Sequence, residues 1–219
     1  MKIKILITLA FLWFGSAAYA QQAMPFAGEI KTFQRQDSLN FPKPGGLLFV
    51  GSSSIRLWSD LEQRFNQAPI IKRGVGGSEL WQWVDFYSPL LIYPYKPAKV
   101  FIYAGENDIA AGKTAETVAA NFERLWGMIR ANLPHAEIFW LAIKQSPSRA
   151  MHYGDVTRAN DLVRQFIKKK KRTVYIDLAS PIINPKTNLP DSALFKADML
   201  HLNSKGYDKW QAVLIPYVK

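Results

Sequence analysis

The 219-residue chain contains no cysteine. That absence removes a disulfide framework, a thiol nucleophile, thiol redox chemistry and thiolate zinc sites together. Histidine is scarce too, with three residues scattered along the chain and no His-Glu-x-x-His pair, so a metal site has little to be built from. Nucleotide-binding signatures are missing: no Walker A lysine occurs, and the run Gly74-Val75-Gly76-Gly77 fails the dinucleotide pattern because Glu79 occupies the last glycine position. The G-x-S-x-G elbow of α/β-hydrolases is absent as well, since Ile55 stands where its second glycine would be. Acidic residues are the minority charge, 17 against 28 basic ones, for a net charge of +11. Such an excess raises nucleic acid or an anionic membrane as partners, because clustered Lys and Arg release counterions from phosphate polymers.

What is present argues against that reading of the charge. Lys2 and Lys4, the apolar run at residues 5–14 and Ala18-Tyr19-Ala20 before Gln21 form the three parts of a secretory signal peptide over residues 1–20. The apolar run is too short for a membrane span, which needs about 20 residues. A secreted or periplasmic protein with no stable membrane insertion after cleavage is expected, two lysines leave with the leader, and nucleic acid is not an expected partner. The densest basic run, Lys168 to Arg172, lies at an expected helix C-terminus, where cations complement the helix dipole and stay hydrated.

The full chain is 48% hydrophobic, and residues 21–219 carry no repeat, low-complexity segment or linker, as in one globular domain. Short apolar runs at residues 47–50, 70–71, 99–103, 137–142 and 173–176 read as buried strands. Helical patterns cover residues 28–39, 55–65, 78–87, 115–132, 156–170 and 204–217. Strands alternating with helices predict a parallel sheet of mostly five strands covered on both faces, a three-layer α/β/α sandwich. Ligands in such folds sit beyond the carboxyl ends of the strands.

Four segments at those ends hold chemistry. Gly51-Ser52-Ser53-Ser54 follows the first strand, where a serine at a helix N-terminus is either an exposed nucleophile or a plain cap. Arg73-Gly74-Val75-Gly76-Gly77-Ser78 follows the second, a turn able to aim backbone N–H groups at an anion or simply a tight loop. Gly105-Glu106-Asn107-Asp108 follows the third, and its Asn is an oxyanion donor or ordinary turn chemistry. Near the end, Asp198 precedes His201 by three residues, close enough to fix the imidazole tautomer or to form an unremarkable surface pair.

In this order the four segments resemble the SGNH hydrolases, the GDSL esterase/lipase family, across residues 47–210. The resemblance implies a flavodoxin-like fold and hydrolysis of carboxylic esters without metal or cofactor. It implies Ser53 as nucleophile, Asp198 and His201 as acid and base, and an oxyanion hole from Ser53, Gly77 and Asn107. Two departures stand out: Ser52 replaces the family's usual Asp, and Glu106 replaces a small residue, adding a negative charge near the oxyanion loop. A chain too compact for a large lid points to a shallow cleft for short acyl groups, and secretion together with Trp58, Trp81 and Trp83 points to a sugar ring, as in acetyl esters of carbohydrates. Trp58 is a candidate for stacking on a sugar, but core packing is the preferred reading of all three Trp, since Trp81 and Trp83 lie two apart and cannot share one helix face. Arg149 is a candidate for an acidic group or part of a solvated loop. A lysophospholipase or thioesterase would share every site residue. A non-catalytic glycan-binding module is the reading from another class.

Overall fold

The computed structural model describes residues 23–65 and 68–218. The expected signal peptide therefore lies outside the described residues. No described helix is long and apolar enough to cross a membrane.

Helix α1 (Ala27–Leu39) leads into strand β1 (Leu47–Gly51), followed by two single-turn helices, α2 (Ser53–Arg56) and α3 (Leu61–Arg64), and by β2 (Ile70–Gly74). A helical run of α4 (Leu80–Gln82), a π-turn at Trp83–Tyr87 and α5 (Ser88–Leu91) precedes β3 (Lys99–Tyr103). The second half alternates α6 (Glu106–Ala110) and α7 (Ala115–Asn132), β4 (Glu137–Leu141), α8 (Tyr153–Ile167) and β5 (Thr173–Ile176). A small antiparallel pair, β6 (Ile183–Asn184) and β7 (Leu189–Pro190), comes before the final α9 (Ser204–Leu214). The five long strands are parallel, in the order β2-β1-β3-β4-β5. This is the three-layer α/β/α fold that the alternation of apolar runs predicts.

Side chains on a strand alternate between faces, and here both faces are apolar. Leu48, Val50, Val100, Ile102, Ile138 and Trp140 form one core with residues of α1, α7 and α8. Leu47, Phe49, Phe101, Phe139 and Leu141 form the other with residues of α2, α3 and α9. On that second face the strand register aligns Phe49, Phe101 and Phe139, whose rings stack in series at 4.3 and 4.5 Å.

Three local expectations need correction. The helix expected over residues 55–65 is split, because Trp58 leaves the helical path to pack at 0% exposure between Tyr207 and Trp210. The Trp58 carbonyl is instead capped by Lys72 Nζ at 3.0 Å. The helix expected over 78–87 starts at Leu80 and widens into the π-turn, where Ser88 Oγ donates to the Trp83 carbonyl. Residues 106–110, read as a turn, form α6.

Candidate active site

The chain crosses from β1 to β2 on one side and returns to β3 on the other, so loops leaving β1 and β3 diverge. That divergence opens a crevice at the carboxyl ends of adjacent strands. Ser53 occupies the first helical position after β1. The turn delivering it depends on Gly51, whose φ is +133° and where a Cβ would lie 1.8 Å from the Tyr103 carbonyl oxygen. The Ser52 N–H donates to that same carbonyl at 2.9 Å, and Ser78 Oγ donates to the Gly51 carbonyl. Backbone and Ser78 thus shape the turn in which Ser52 stands in place of an Asp.

Ser53 Oγ lies 2.9 Å from His201 Nε2, and His201 Nδ1 lies 2.7 Å from Asp198 Oδ2. The other Asp198 oxygen accepts the Leu200 and His201 backbone N–H groups, both at 2.9 Å. Burial works to raise the Asp198 pKa, but hydrogen bonds from the His201 ring and from these two N–H groups prevail and hold it well below the usual carboxylate range. An ionised Asp198 keeps the imidazole proton on Nδ1 and leaves Nε2 to accept from the serine.

On the opposite side of Ser53, neither its own N–H nor that of Gly77 donates to a protein acceptor among the described residues. Gly77 has φ +75°, which favours glycine, and Phe26 borders it: a Cβ there would be 3.2 Å from the Phe26 ring. The loop is pinned by the Gly76 N–H donating to Glu29 at 2.9 Å, and by the Leu80 N–H donating to Asp108. Asn107 Nδ2 donates one proton to the Ser78 carbonyl at 3.0 Å, leaving its second proton uncommitted. Ser53, His201, Asp198, the Gly77 N–H and the Asn107 amide thus sit on segments at the carboxyl ends of neighbouring strands and in the loop before α9, an arrangement with the groups that acyl transfer requires.

Residues 49–209 match the GDSL-like lipase/acylhydrolase family. The chain belongs to that family. It is thereby a carboxylic ester hydrolase of the SGNH type. A search of curated proteins returns no match. Among solved structures, a GDSL-like lipase from Bacteroides thetaiotaomicron superposes with TM-score 0.73 at 17% identity, covering 88% of this chain and 98% of its own. A carbohydrate esterase family 3 protein from Talaromyces cellulolyticus gives TM-score 0.63 at 13% identity, over 79% and 95% of the two chains. An acetylxylan esterase from Geobacillus stearothermophilus gives 0.62 at 13%, over 80% and 95%. The match begins at residue 49, so α1, with Glu29 and the adjoining Phe26, lies outside the part of the acylhydrolase that its family accounts for.

Beneath the crevice lies a polar group that motif reading missed. Glu106, 5% exposed, accepts from Lys144 Nζ, Ser146 Oγ and Tyr103 Oη, each at 2.8 Å. Burial alone would raise the Glu106 pKa; the Lys144 and Arg149 charges and the donated hydrogen bonds outweigh it and hold the group below its ordinary value. Glu106 does bring a negative charge near the loop after β3, and fully buried Lys144 balances it. A sequence signal existed: Lys144 ends the apolar run Leu141-Ala142-Ile143, where a cation demands a partner.

The two other candidates also change role. Trp58 offers no face to a sugar, since its ring is enclosed in the core. Arg149 does reach the crevice, but it donates to Asn107 Oδ1 at 3.0 Å and to the Glu106 carbonyl at 3.1 Å. Trp83 is fully buried, and Trp81 packs edge-on against Phe86 with Lys113 over its ring.

Proposed function

We propose that the protein is a secreted or periplasmic serine esterase acting on short acyl, chiefly acetyl, esters of carbohydrates. The observation that carries the mechanism is the continuous relay Ser53–His201–Asp198, with separations of 2.9 and 2.7 Å. His201 accepts the Ser53 proton as Oγ attacks the ester carbonyl carbon, and Asp198 stabilises the imidazolium that forms. The tetrahedral oxyanion takes hydrogen bonds from the Ser53 and Gly77 N–H groups and the uncommitted Asn107 proton, each donor contributing roughly 3 kcal/mol to lowering the barrier. His201 then protonates the leaving alcohol, producing an acyl-serine. A water molecule, deprotonated by His201, attacks that ester and releases the carboxylic acid and free Ser53.

Two observations support short acyl groups. Phe26 stands beside Gly77, narrowing the space around the oxyanion. The similar solved structures include proteins described as an acetylxylan esterase and as a carbohydrate esterase. Secretion rests on the leader-like residues 1–20.

Purified protein lacking residues 1–20 is expected to hydrolyse p-nitrophenyl acetate, and Ser53→Ala to lower the rate by at least about 10⁴-fold. Unchanged turnover in that variant would overturn the mechanism. A panel of acetylated glycans, acyl esters of increasing length and lysophospholipids tests the substrate class; preference for long acyl chains or lysophospholipids would replace it with a lipase reading.

A further inference from the structure

We infer that Arg149 is a positioning residue that sets the direction and polarity of the Asn107 amide, and that the buried Glu106–Lys144 pair exists to hold it there. This rests on the oxyanion role proposed above for Asn107. A primary amide presents nearly the same shape after a half-turn about its last bond, yet one orientation aims a donor at the oxyanion and the other an acceptor. Two contacts select between them. The Ser78 carbonyl accepts from Nδ2 at 3.0 Å, and an Arg149 nitrogen donates to Oδ1 at 3.0 Å. A cation on Oδ1 also draws electron density from the amide and strengthens the remaining N–H as a donor.

The guanidinium fork is needed because the two terminal nitrogens serve different acceptors. One holds Asn107 Oδ1; the other donates to the Glu106 backbone carbonyl and lies 3.7 Å from the Glu106 carboxylate. Lys144 already balances Glu106, so the positive charge of Arg149 remains to polarise the Asn107 amide on which it sits. The segment carrying Arg149 is tied to the other half of the site as well: the Ser148 N–H and hydroxyl both donate to the Met199 carbonyl at 3.0 Å, inside the Asp198–His201 turn. One stretch of chain after β4 thus touches both the oxyanion donor and the acid–base turn.

The test uses the neutral ester p-nitrophenyl acetate with wild type, Arg149→Met, Arg149→Lys, Asn107→Ala and the Arg149→Met/Asn107→Ala double variant. Arg149→Met is expected to lower kcat by about 10- to 100-fold with KM within about twofold, as for loss of a donor that acts in the transition state. In the Asn107→Ala background the same change should cost less than about twofold, because its target is gone. Arg149→Lys should not restore the rate, whereas in two further variants that leave room for the ion, tens of millimolar guanidinium should partly restore Arg149→Ala and leave Arg149→Ala/Asn107→Ala unchanged. Thermal melting accompanies each variant; if Arg149→Met does not fold at the assay temperature, the lysine variant, which keeps the stem and the charge, is expected to show the same kcat-only loss. Additive losses in the double variant, or a loss in Arg149→Met confined to KM, would overturn the role. The wild-type rate and its loss in Ser53→Ala separate these outcomes: additivity on an active enzyme removes the role of Arg149 alone, and no turnover at all removes both readings.

Discussion

The two walls of the crevice are built by opposite means. The wall bearing Asn107 stands on buried charge: Glu106, Lys144 and Asp108 are each 5% exposed or less, and their partners come from β3, the loop after β4 and the start of α4. The wall bearing His201 is a short turn near the surface, in which a half-exposed Asp198 is held by N–H groups two and three residues away. Removing a group from the first wall leaves an uncompensated buried charge, so stability is lost along with activity. Removing a group from the second exposes little and should separate activity from stability.

The sharpest test of that contrast is Asp198→Asn. The two backbone donors claim one oxygen of Asp198, so the asparagine oxygen takes that place and its NH₂ faces His201 Nδ1. The imidazole must then carry its proton on Nε2, which faces Ser53 and can no longer accept from it. Esterase activity is expected to fall by about 10³- to 10⁴-fold, with the urea midpoint of unfolding almost unmoved. A large stability loss would break the contrast.

Lys144→Met should behave the other way. It leaves Glu106 with only the partly exposed Arg149, 3.7 Å away, as a cation, and unfolding titrations are expected to show a loss of about 3 kcal/mol. Adding Glu106→Gln, which removes the charge and keeps an acceptor for one of the two hydroxyls of Tyr103 and Ser146, should recover at least half of it. If the single variant is as stable as wild type, the buried pair is not what supports this wall.

How far the sequence revealed these walls differs between them. Strands 99–103 and 173–176 agree with the apolar runs to the residue; the first is central and buried on both faces, and the second, at the sheet edge, is marked by its β-branched and aromatic residues. Asp198 and His201 are three apart, and their pairing follows from local turn geometry. Glu106 and Lys144 are 38 residues apart and meet only because β3 and β4 are neighbours, a fact of topology rather than of spacing. Trp58 shows the same dependence: sequence alone leaves a cleft or the core open with the core preferred, and Tyr207 and Trp210, from the far end of the chain, enclose it.

Asp108 gives the buried wall a pH signature. Burial, with a further contribution from Glu79, raises its pKa to about 6, although the Leu80 N–H and Lys113 oppose the shift. A carboxyl whose pKa is higher folded than unfolded holds its proton more tightly in the native state. Its contribution is fully present below about pH 4 and lost as pH rises through about 6, a change of about 3 kcal/mol. Asp108→Asn keeps an acceptor for the Leu80 N–H and cannot ionise, so the fall in stability between pH 4 and 7 should flatten. An unchanged slope would assign the pH dependence to other groups.

The smallest expected effect concerns the rim that α1 supplies. Phe26 is 42% exposed, sits at a backbone φ of +52° just before α1 and lies against Gly77. Tyr87 holds this approach by donating to the Pro25 carbonyl at 2.8 Å, and Glu29 fixes the neighbouring Gly76 N–H. Because the ring is partly solvated, Phe26→Ala removes little buried area and should cost under about 1 kcal/mol of stability. It should instead widen the space beside the oxyanion: the ratio of kcat/KM for p-nitrophenyl butyrate to that for acetate is expected to rise by about 3- to 10-fold, the range that one or two methylenes in a pocket command. Glu29→Gln, which keeps an acceptor for Gly76, should leave that ratio unchanged. If both variants shift the ratio alike, the effect comes from loosening the Gly76-Gly77 turn and not from the ring; if neither does, the rim contributed by α1 does not set acyl length.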